Sequence, residues 1–251
     1  MTIAAVRLVM VLSIVASAHI SAAQTADEIV EKSVAALGGR AAFGKLTSRT
    51  TVGTITLSTP VGDVTGSAEL FEMPPNKTRS VIKADLTSLG AGPMTVDQRF
   101  DGSTGYVIDS LQGNREITGN QLDNQKNGSF PHPFLTYKTQ GTTAKLVGKE
   151  KVGDKDAFVV TFDPTSGSEI RQFFDAETFL PIKSVVTVNV PQLGQDVEQT
   201  TEFLDYRDVD GVKMPFRLRI SSSIQTFTIN VTKIEHNAKL DESMFARPAA
   251  K

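Results

Sequence analysis

The chain has 251 residues, of which 39% are hydrophobic and 22% charged, a composition typical of a globular protein with a substantial core. Its formal net charge of −2 argues against the broad basic surface that binds nucleic acid or anionic lipid. The absence of cysteine excludes disulfides, thiolate metal sites, thiol catalysis and lipidation at a cysteine.

Residues 1–23 have the pattern of a secretory signal peptide. One early cation, Arg7, precedes an apolar run from Leu8 to Ala18, and small residues close the segment at 21–23. The apolar run is too short for a stable membrane span. We therefore expect cleavage near Ala23, a net charge of −3 once Arg7 is removed, and export to the periplasm of a Gram-negative bacterium. Residues 24–251 are expected to form a single domain.

The first folded element is predicted to be an amphipathic helix. Val30, Val34 and Leu37 recur at helical spacing and would lie on one face. Gly38-Gly39 indicates where the helix ends, because glycine accepts the left-handed conformation common at helix termini. A short second helix is expected at about residues 40–45.

From residue 48 the periodicity changes to two. Runs of six to ten residues, rich in β-branched side chains, are separated by short turns containing Gly, Asp or Pro. This pattern predicts a mainly β (α+β) fold with a single large curved antiparallel sheet. In several strands apolar and polar residues alternate, so one face of the sheet is predicted to be apolar and the other solvated.

The region 117–141 breaks the strand pattern. It is polar and glycine-containing, with an apolar cluster that includes Phe130, Phe134 and Leu135. Such a segment is typical of a mobile lid over a site, or of a fixed cap on one end of the sheet. The sequence leaves both interpretations open.

No motif for catalysis or cofactor binding is found. His132 and His236 have no neighbouring ligands at metal-binding spacing, and serine-nucleophile, phosphate-loop and dinucleotide motifs are absent. The aspartates of "DYRDVDG" (205–211) do not have the spacing of a calcium loop, and residue 216, where such a loop places a glutamate, is Phe. This stretch is therefore predicted to be a hairpin turn. We expect no catalytic residue, metal or cofactor.

One helix cannot cover the apolar face of so long a sheet. The remainder must be closed by 117–141 or left as a cavity, and apolar cavities in exported proteins commonly hold apolar ligands. Alternation alone selects candidate lining residues, for each of which plain core packing is the alternative. They are Phe216, Leu218, Ile220, Phe227 and Ile229, with Phe130, Phe134 and Leu135 as the lid.

Four stretches occur in the order found in one known family. "ADEIVEKSVAALGGRAAFGKL", "QRFDGSTGYVID", "FFDAETFLPIKS" and "DYRDVDGVKMPFRL" resemble the LolA/LolB-like outer-membrane lipoprotein-sorting superfamily, in its longer and divergent members. The resemblance implies an unclosed antiparallel barrel, with helices packed in its concave side and a hydrophobic cavity that receives acyl chains.

The function expected on these grounds is a non-catalytic periplasmic carrier or receptor for lipid, or for the acyl chains of lipoproteins. The resemblance further implies delivery partners at the inner or outer membrane. Two other functions remain open: an envelope sensor whose sheet edge or outer face binds a protein partner, and an enzyme that uses the cavity as its active site. The cargo, its donor and acceptor, and the oligomeric state are not encoded in any recognisable motif.

Overall fold

The computed structural model of the protein describes residues 24–59, 62–190, 194–223 and 225–248. The predicted signal peptide, residues 1–23, lies outside the described residues. Thirteen strands dominate the fold. They are β1 (Arg49–Thr59), β2 (Gly62–Met73), β3 (Lys77–Asp85), β4 (Pro93–Phe100), β5 (Gly105–Asp109), β6 (Arg115–Ile117), β7 (Thr143–Val152), β8 (Lys155–Asp163), β9 (Ile170–Asp175), β10 (Pro181–Val190), β11 (Gln195–Val209), β12 (Val212–Ser222) and β13 (Thr226–His236).

All thirteen strands belong to one antiparallel sheet, as the sequence predicted. Their spatial order is β6-β5-β4-β3-β2-β1-β13-β12-β11-β10-β9-β8-β7. The order follows the chain except at the centre, where the first strand pairs with the last. Strands β6 and β7 form the two edges and do not pair with each other, so the sheet is not closed into a barrel.

In the part of the chain that the structure describes, three α-helices accompany the sheet: α1 (Ala26–Ala36), α2 (Gly39–Phe43) and α3 (Gly119–Lys126). Helix α1 begins with a capping box, in which Thr25 and Glu28 each bond the other's backbone N–H. Val30, Val34 and Leu37 are buried, which confirms the predicted apolar face. Among the described residues, no helix has the length and apolar character required to cross a membrane.

Helix α3 shows how strongly the sheet curves. Its Asn120 and Asn124 donate to Ser168 Oγ, just before β9, at 2.9 and 3.2 Å, and its Gln125 lies against Gly105 in β5. Strands β5 and β9 are nine spacings apart in the sheet, which would be about 43 Å on a flat surface. An eight-residue helix is only ~12 Å long. The sheet is therefore curled, and α3 lies across its concave side.

The main core fills one end of this concave side. Helices α1 and α2 and the 130–137 segment pack there against strands β8, β9 and β12. The buried members of the cluster are Ala26, Ile29, Val30, Val34, Leu37, Phe43, Leu46, Phe130, Phe134, Tyr137, Phe158, Val160, Phe162, Phe174 and Val212.

The outer face is less solvated than the sequence predicted. Ala157, Val159, Phe173 and Val185 form a second buried cluster on the face of β8–β10 that points away from the main core. The guanidinium of Arg171 and the ammonium of Lys183 lie 5.4 and 4.8 Å from the centre of the Phe173 ring. The aliphatic parts of such side chains can pack over an apolar ring while their charged ends stay hydrated. The outer face is therefore polar at its surface, with an apolar layer beneath.

The "DVDG" stretch forms the hairpin turn that was predicted between β11 and β12. Asp210 and Gly211 both have positive φ, 54° and 81°, as a tight two-residue reversal requires. The turn also supports the helices, because Lys213 N–H donates to Leu37 O at 2.8 Å. Gly38 follows with φ of 127°, and a Cβ there would lie 2.2 Å from the Gly211 carbonyl oxygen.

This contact leads to a stability prediction. We expect Gly38→Ala to destabilise the protein by about 2 kcal/mol or more. An alanine would be strained at this positive φ, and its Cβ would also collide with the Gly211 carbonyl oxygen. Gly39→Ala is the matched control, since Gly39 also has positive φ, 82°, but open space around its Cβ position. Urea unfolding monitored by circular dichroism measures both. Equal losses for the two variants would contradict the proposed close contact.

Candidate functional site

The concave face continues beyond the main core as a surface of partly exposed apolar side chains. In the register of the sheet, Ile220 faces Phe227 and Leu218 faces Ile229. Directly opposed residues project to the same face of a sheet. Phe227 and Ile229 in turn face Leu57 and Ile55 of β1. The structure therefore brings four of the five predicted lining residues into one patch that crosses β12 and β13.

The fifth predicted residue, Phe216, continues the alternation of β12 toward the covered end of the sheet. The guanidinium carbon of Arg207 lies 4.4 Å from the centre of its ring. All five predicted residues are only partly buried. They retain surface that a ligand could cover, and whether one does so stays a prediction.

An apolar cavity lies on the same face of the sheet, across β11 from this patch. Its volume is about 320 Å³, at the lower end of the range for small-molecule pockets. The roof comes from α3 and the segment that follows it, and the floor from β8, β9 and β10. Its lining residues are Asn124, Asn127, Pro133, Phe134, Tyr137, Gln140, Thr142, Phe162, Pro164, Ser168, Ile170, Gln172, Val186 and Val188.

The three predicted lid residues are placed differently. Phe134 lines the cavity and stacks on Phe162, with ring centres 5.5 Å apart. Phe130 is buried in the main core and Leu135 packs against it, and neither lines the cavity. At these three positions the 117–141 region therefore packs as part of the core.

A bidentate ion pair holds this region to the sheet. Arg49 Nε and Nη2 donate to the Glu72 carboxylate at 2.6 and 2.7 Å, and Arg49 Nη1 reaches the Pro131 carbonyl at 3.4 Å. Both charged side chains are largely buried. Removal of either partner would leave a buried charge uncompensated. At the other end of the segment, Tyr137 Oη donates to Asp27 of α1 at 2.5 Å.

His132 is enclosed between the same elements. Its ring lies 5.7 Å from Phe43 and 4.5 Å from Phe134, centre to centre, and its Nδ1 accepts the Phe134 N–H at 3.3 Å. Burial, reinforced by the nearby Arg49 guanidinium, lowers the pKa of His132 to about 3. The imidazole is therefore neutral at ordinary pH and serves as a packed hydrogen-bond acceptor.

The acidic and histidine side chains of the described residues are dispersed among local contacts. Within the described ranges, no group of three or more His, Asp or Glu side chains could hold a metal ion. The "DVDG" aspartates have separate partners: Asp205 pairs with Arg207, Asp208 accepts the Gly211 N–H, and Asp210 contacts Nδ1 of buried His236. Each of these interactions stabilises a local turn or strand end.

Sequence reasoning missed most of the cavity. Phe162, Ile170, Val186 and Val188 line it, and they belong to three different strands. The alternation of β10 is visible in the sequence, where Val186 and Val188 flank Thr187. It marks one face of the strand as apolar, but nothing in the sequence places that face beneath Phe134.

The comparisons with known proteins agree with the geometry at the level of the fold. A LolA superfamily protein from Nitrosomonas europaea superposes with a TM-score of 0.57 and 13% identity, over 90% of this chain and 99% of that chain. A putative outer membrane lipoprotein-sorting protein domain from Vibrio parahaemolyticus superposes with 0.55 and 13%, over 86% and 95%. A DUF1329 family protein from Desulfovibrio piger superposes with 0.56 and 12%, over 88% and 97%.

No protein-family model and no curated protein matches the sequence. The likeness is therefore one of structure, and it confirms the fold expected from the resemblance in the sequence.

The partly buried imidazole of His132 leads to a prediction of pH dependence. The unfolded chain binds a proton at His132 near pH 6.5 and the folded chain only near pH 3. Its contribution to stability is thus complete above pH 6.5 and is lost as the pH falls toward 3. We expect His132→Asn, which keeps an acceptor for the Phe134 N–H, to remove up to about 1.4 kcal/mol per pH unit from the pH dependence below 6.5.

Urea unfolding of both proteins between pH 7 and 4.5 measures this difference. The other titratable groups are the same in the two proteins. The difference between their slopes of unfolding free energy against pH therefore reports on His132 alone. Parallel curves would show that the imidazole is not held neutral by the fold.

Proposed function

We propose that the protein is a non-catalytic periplasmic carrier or receptor that binds lipid, or the acyl chains of lipoproteins, on the concave face of its sheet. One observation carries the proposal: beyond the core, this face presents a contiguous set of partly exposed apolar side chains next to a cavity of about 320 Å³. Large exposed apolar surfaces on a folded protein mark sites of interaction.

The energetics favour an extended apolar ligand. Burial of one methylene group contributes roughly 0.8 kcal/mol. A chain of about a dozen methylenes would thus supply several kcal/mol after the cost of association. The polar lining residues Asn124, Asn127, Gln140 and Gln172 are neutral amides, and none of the residues that line the cavity is charged. Its chemistry suits chain burial better than recognition of a polar molecule.

Two further observations support the proposal. The fold is shared with a LolA superfamily protein and with a putative outer membrane lipoprotein-sorting domain. The N-terminal 23 residues have the pattern of an export signal. Cargo of this kind would require donor and acceptor partners at the two membranes, which are part of the proposal.

The absence of a covalent step is also part of the proposal. Arg49 and Glu72, a buried charged pair on the concave side, bind each other and a backbone carbonyl. Two of these hydrogen bonds join β1 to β2, and the third, to the Pro131 carbonyl, attaches the 117–141 region. These contacts assign the pair a structural role.

Native mass spectrometry of the protein purified from a periplasmic extract tests the proposal. We expect bound lipid or acylated peptide in the wild-type protein, identified after solvent extraction. Ile220→Glu places a charge in the apolar patch and should reduce occupancy at least tenfold, because transfer of a carboxylate into an apolar site is strongly unfavourable.

Thr228→Glu is the matched control. Thr228 is partly buried on β13 and faces Arg219, on the opposite side of the sheet from Ile220. This variant should retain wild-type occupancy. Wild-type protein free of lipid in every preparation, or equal effects of the two glutamates, would overturn the proposal.

A further inference from the structure

Arg115 is a partly buried cation for which the described residues supply no ion-pair partner. It belongs to edge strand β6 and faces Val107 of β5, which in turn faces Gln98 of β4. Its Nη1 atom has no access to solvent and no hydrogen bond. Among the described residues Arg115 forms no ion pair. The described arginines that do form ion pairs are Arg40, Arg49, Arg79, Arg99, Arg171, Arg207, Arg219 and Arg247.

The Arg115 side chain also lines a polar cleft at the mouth of the curled sheet. The cleft has a volume of about 650 Å³ and is lined by Arg115, Glu116, Thr118, Gly119, Asn120, Gln121 and Asp196. Asp196 belongs to β11, eight strand spacings from β6 in the sheet. The cleft therefore lies where the β6 edge approaches the opposite side of the sheet, at the rim of the concave face.

The charges around the cleft leave Arg115 available to a ligand. Glu116 accepts a hydrogen bond from Arg247 at 2.5 Å, so its charge is compensated outside the cleft. Gln121 and Asp196 have interactions of their own. The first turn of α3 adds backbone N–H groups, since Thr118 makes no side-chain cap there. Arg115 is thus the charged side chain of this cleft that pairs with no described residue.

A partly buried guanidinium without an ion-pair partner is unfavourable, and an anionic oxygen that reaches its accessible side relieves it best. A guanidinium can bond two oxygens of a phosphate or carboxylate at once. We propose that this cleft binds the oxyanion headgroup of an amphiphile whose chains lie on the concave apolar face, with Arg115 donating to the headgroup. The proposal rests on the proposed function and narrows the ligand to an anionic amphiphile.

Isothermal titration calorimetry with three probes tests this site. They are dihexanoyl phosphatidic acid and dihexanoyl phosphatidylcholine, both below their micelle concentrations, and inorganic phosphate. We expect the wild-type protein to bind the phosphatidic acid about tenfold more tightly than the phosphatidylcholine, the gain typical of a charge-assisted hydrogen bond. Phosphate alone should bind far more weakly, because it lacks chains.

Arg115→Gln should abolish this preference and leave the affinity for phosphatidylcholine unchanged. Arg115→Lys retains the charge and should keep part of the preference, which guards against a loss caused by misfolding. Arg217→Gln is the matched control, because Arg217 is an exposed arginine on β12. It should behave as the wild-type protein.

The possible outcomes separate the two proposals. If both lipids bind but Arg115→Gln keeps the wild-type preference, the headgroup site is wrong and the carrier function stands. If phosphatidic acid binds no more tightly than phosphate, and both depend on Arg115, the cleft takes a free anion and the headgroup proposal is overturned. If no probe binds, both proposals are overturned.

Discussion

The structure depends on one constraint: its helical segments cover only part of the concave face of the sheet. Thirteen strands curl around a concave face, but α1, α2 and the 130–137 segment are long enough to fill only one end of it. An apolar surface left open to water is unfavourable, and a protein retains one when a partner covers it. The partly exposed side chains of β12 and β13, together with the adjacent cavity, follow from this mismatch between sheet area and helix.

The covered end is built to keep its geometry. The Arg49–Glu72 pair, the enclosed His132 and the Gly38–Gly211 contact all lie where the helices meet the strands. Each tolerates little change, because a buried charge, a packed ring or a close backbone approach has few alternative arrangements. At the open end, the described residues of β12 and β13 form no comparable buried polar contacts. The contacts at the covered end therefore hold the sheet in a shape that leaves the apolar surface at the other end accessible.

Sequence reasoning succeeded where the signal was local. Helix α1, the "DVDG" turn and the alternation of β12 depend on neighbouring residues, so spacing and turn chemistry predicted them. The cavity depends on Phe162, Ile170 and Val188, which strand order alone brings together. The cleft beside Arg115 depends on the path of α3 across the sheet, because Gly119, Asn120 and Gln121 line it. The outer apolar layer depends on which cations cover Phe173. None of these follows from a local pattern.

The central pairing of β1 with β13 has a kinetic consequence. Arg49 faces His236, so the seam joins residues from opposite ends of the described chain, whereas every other strand pairs with its neighbour in sequence. Contacts between distant residues carry the largest loop-closure entropy and slow folding. Two meanders, β1–β6 and β7–β13, can each assemble from local hairpins. The β1–β13 pairing therefore determines when the complete concave surface forms. The patch that we propose as a ligand site is not complete in a nascent chain until β13 is in place.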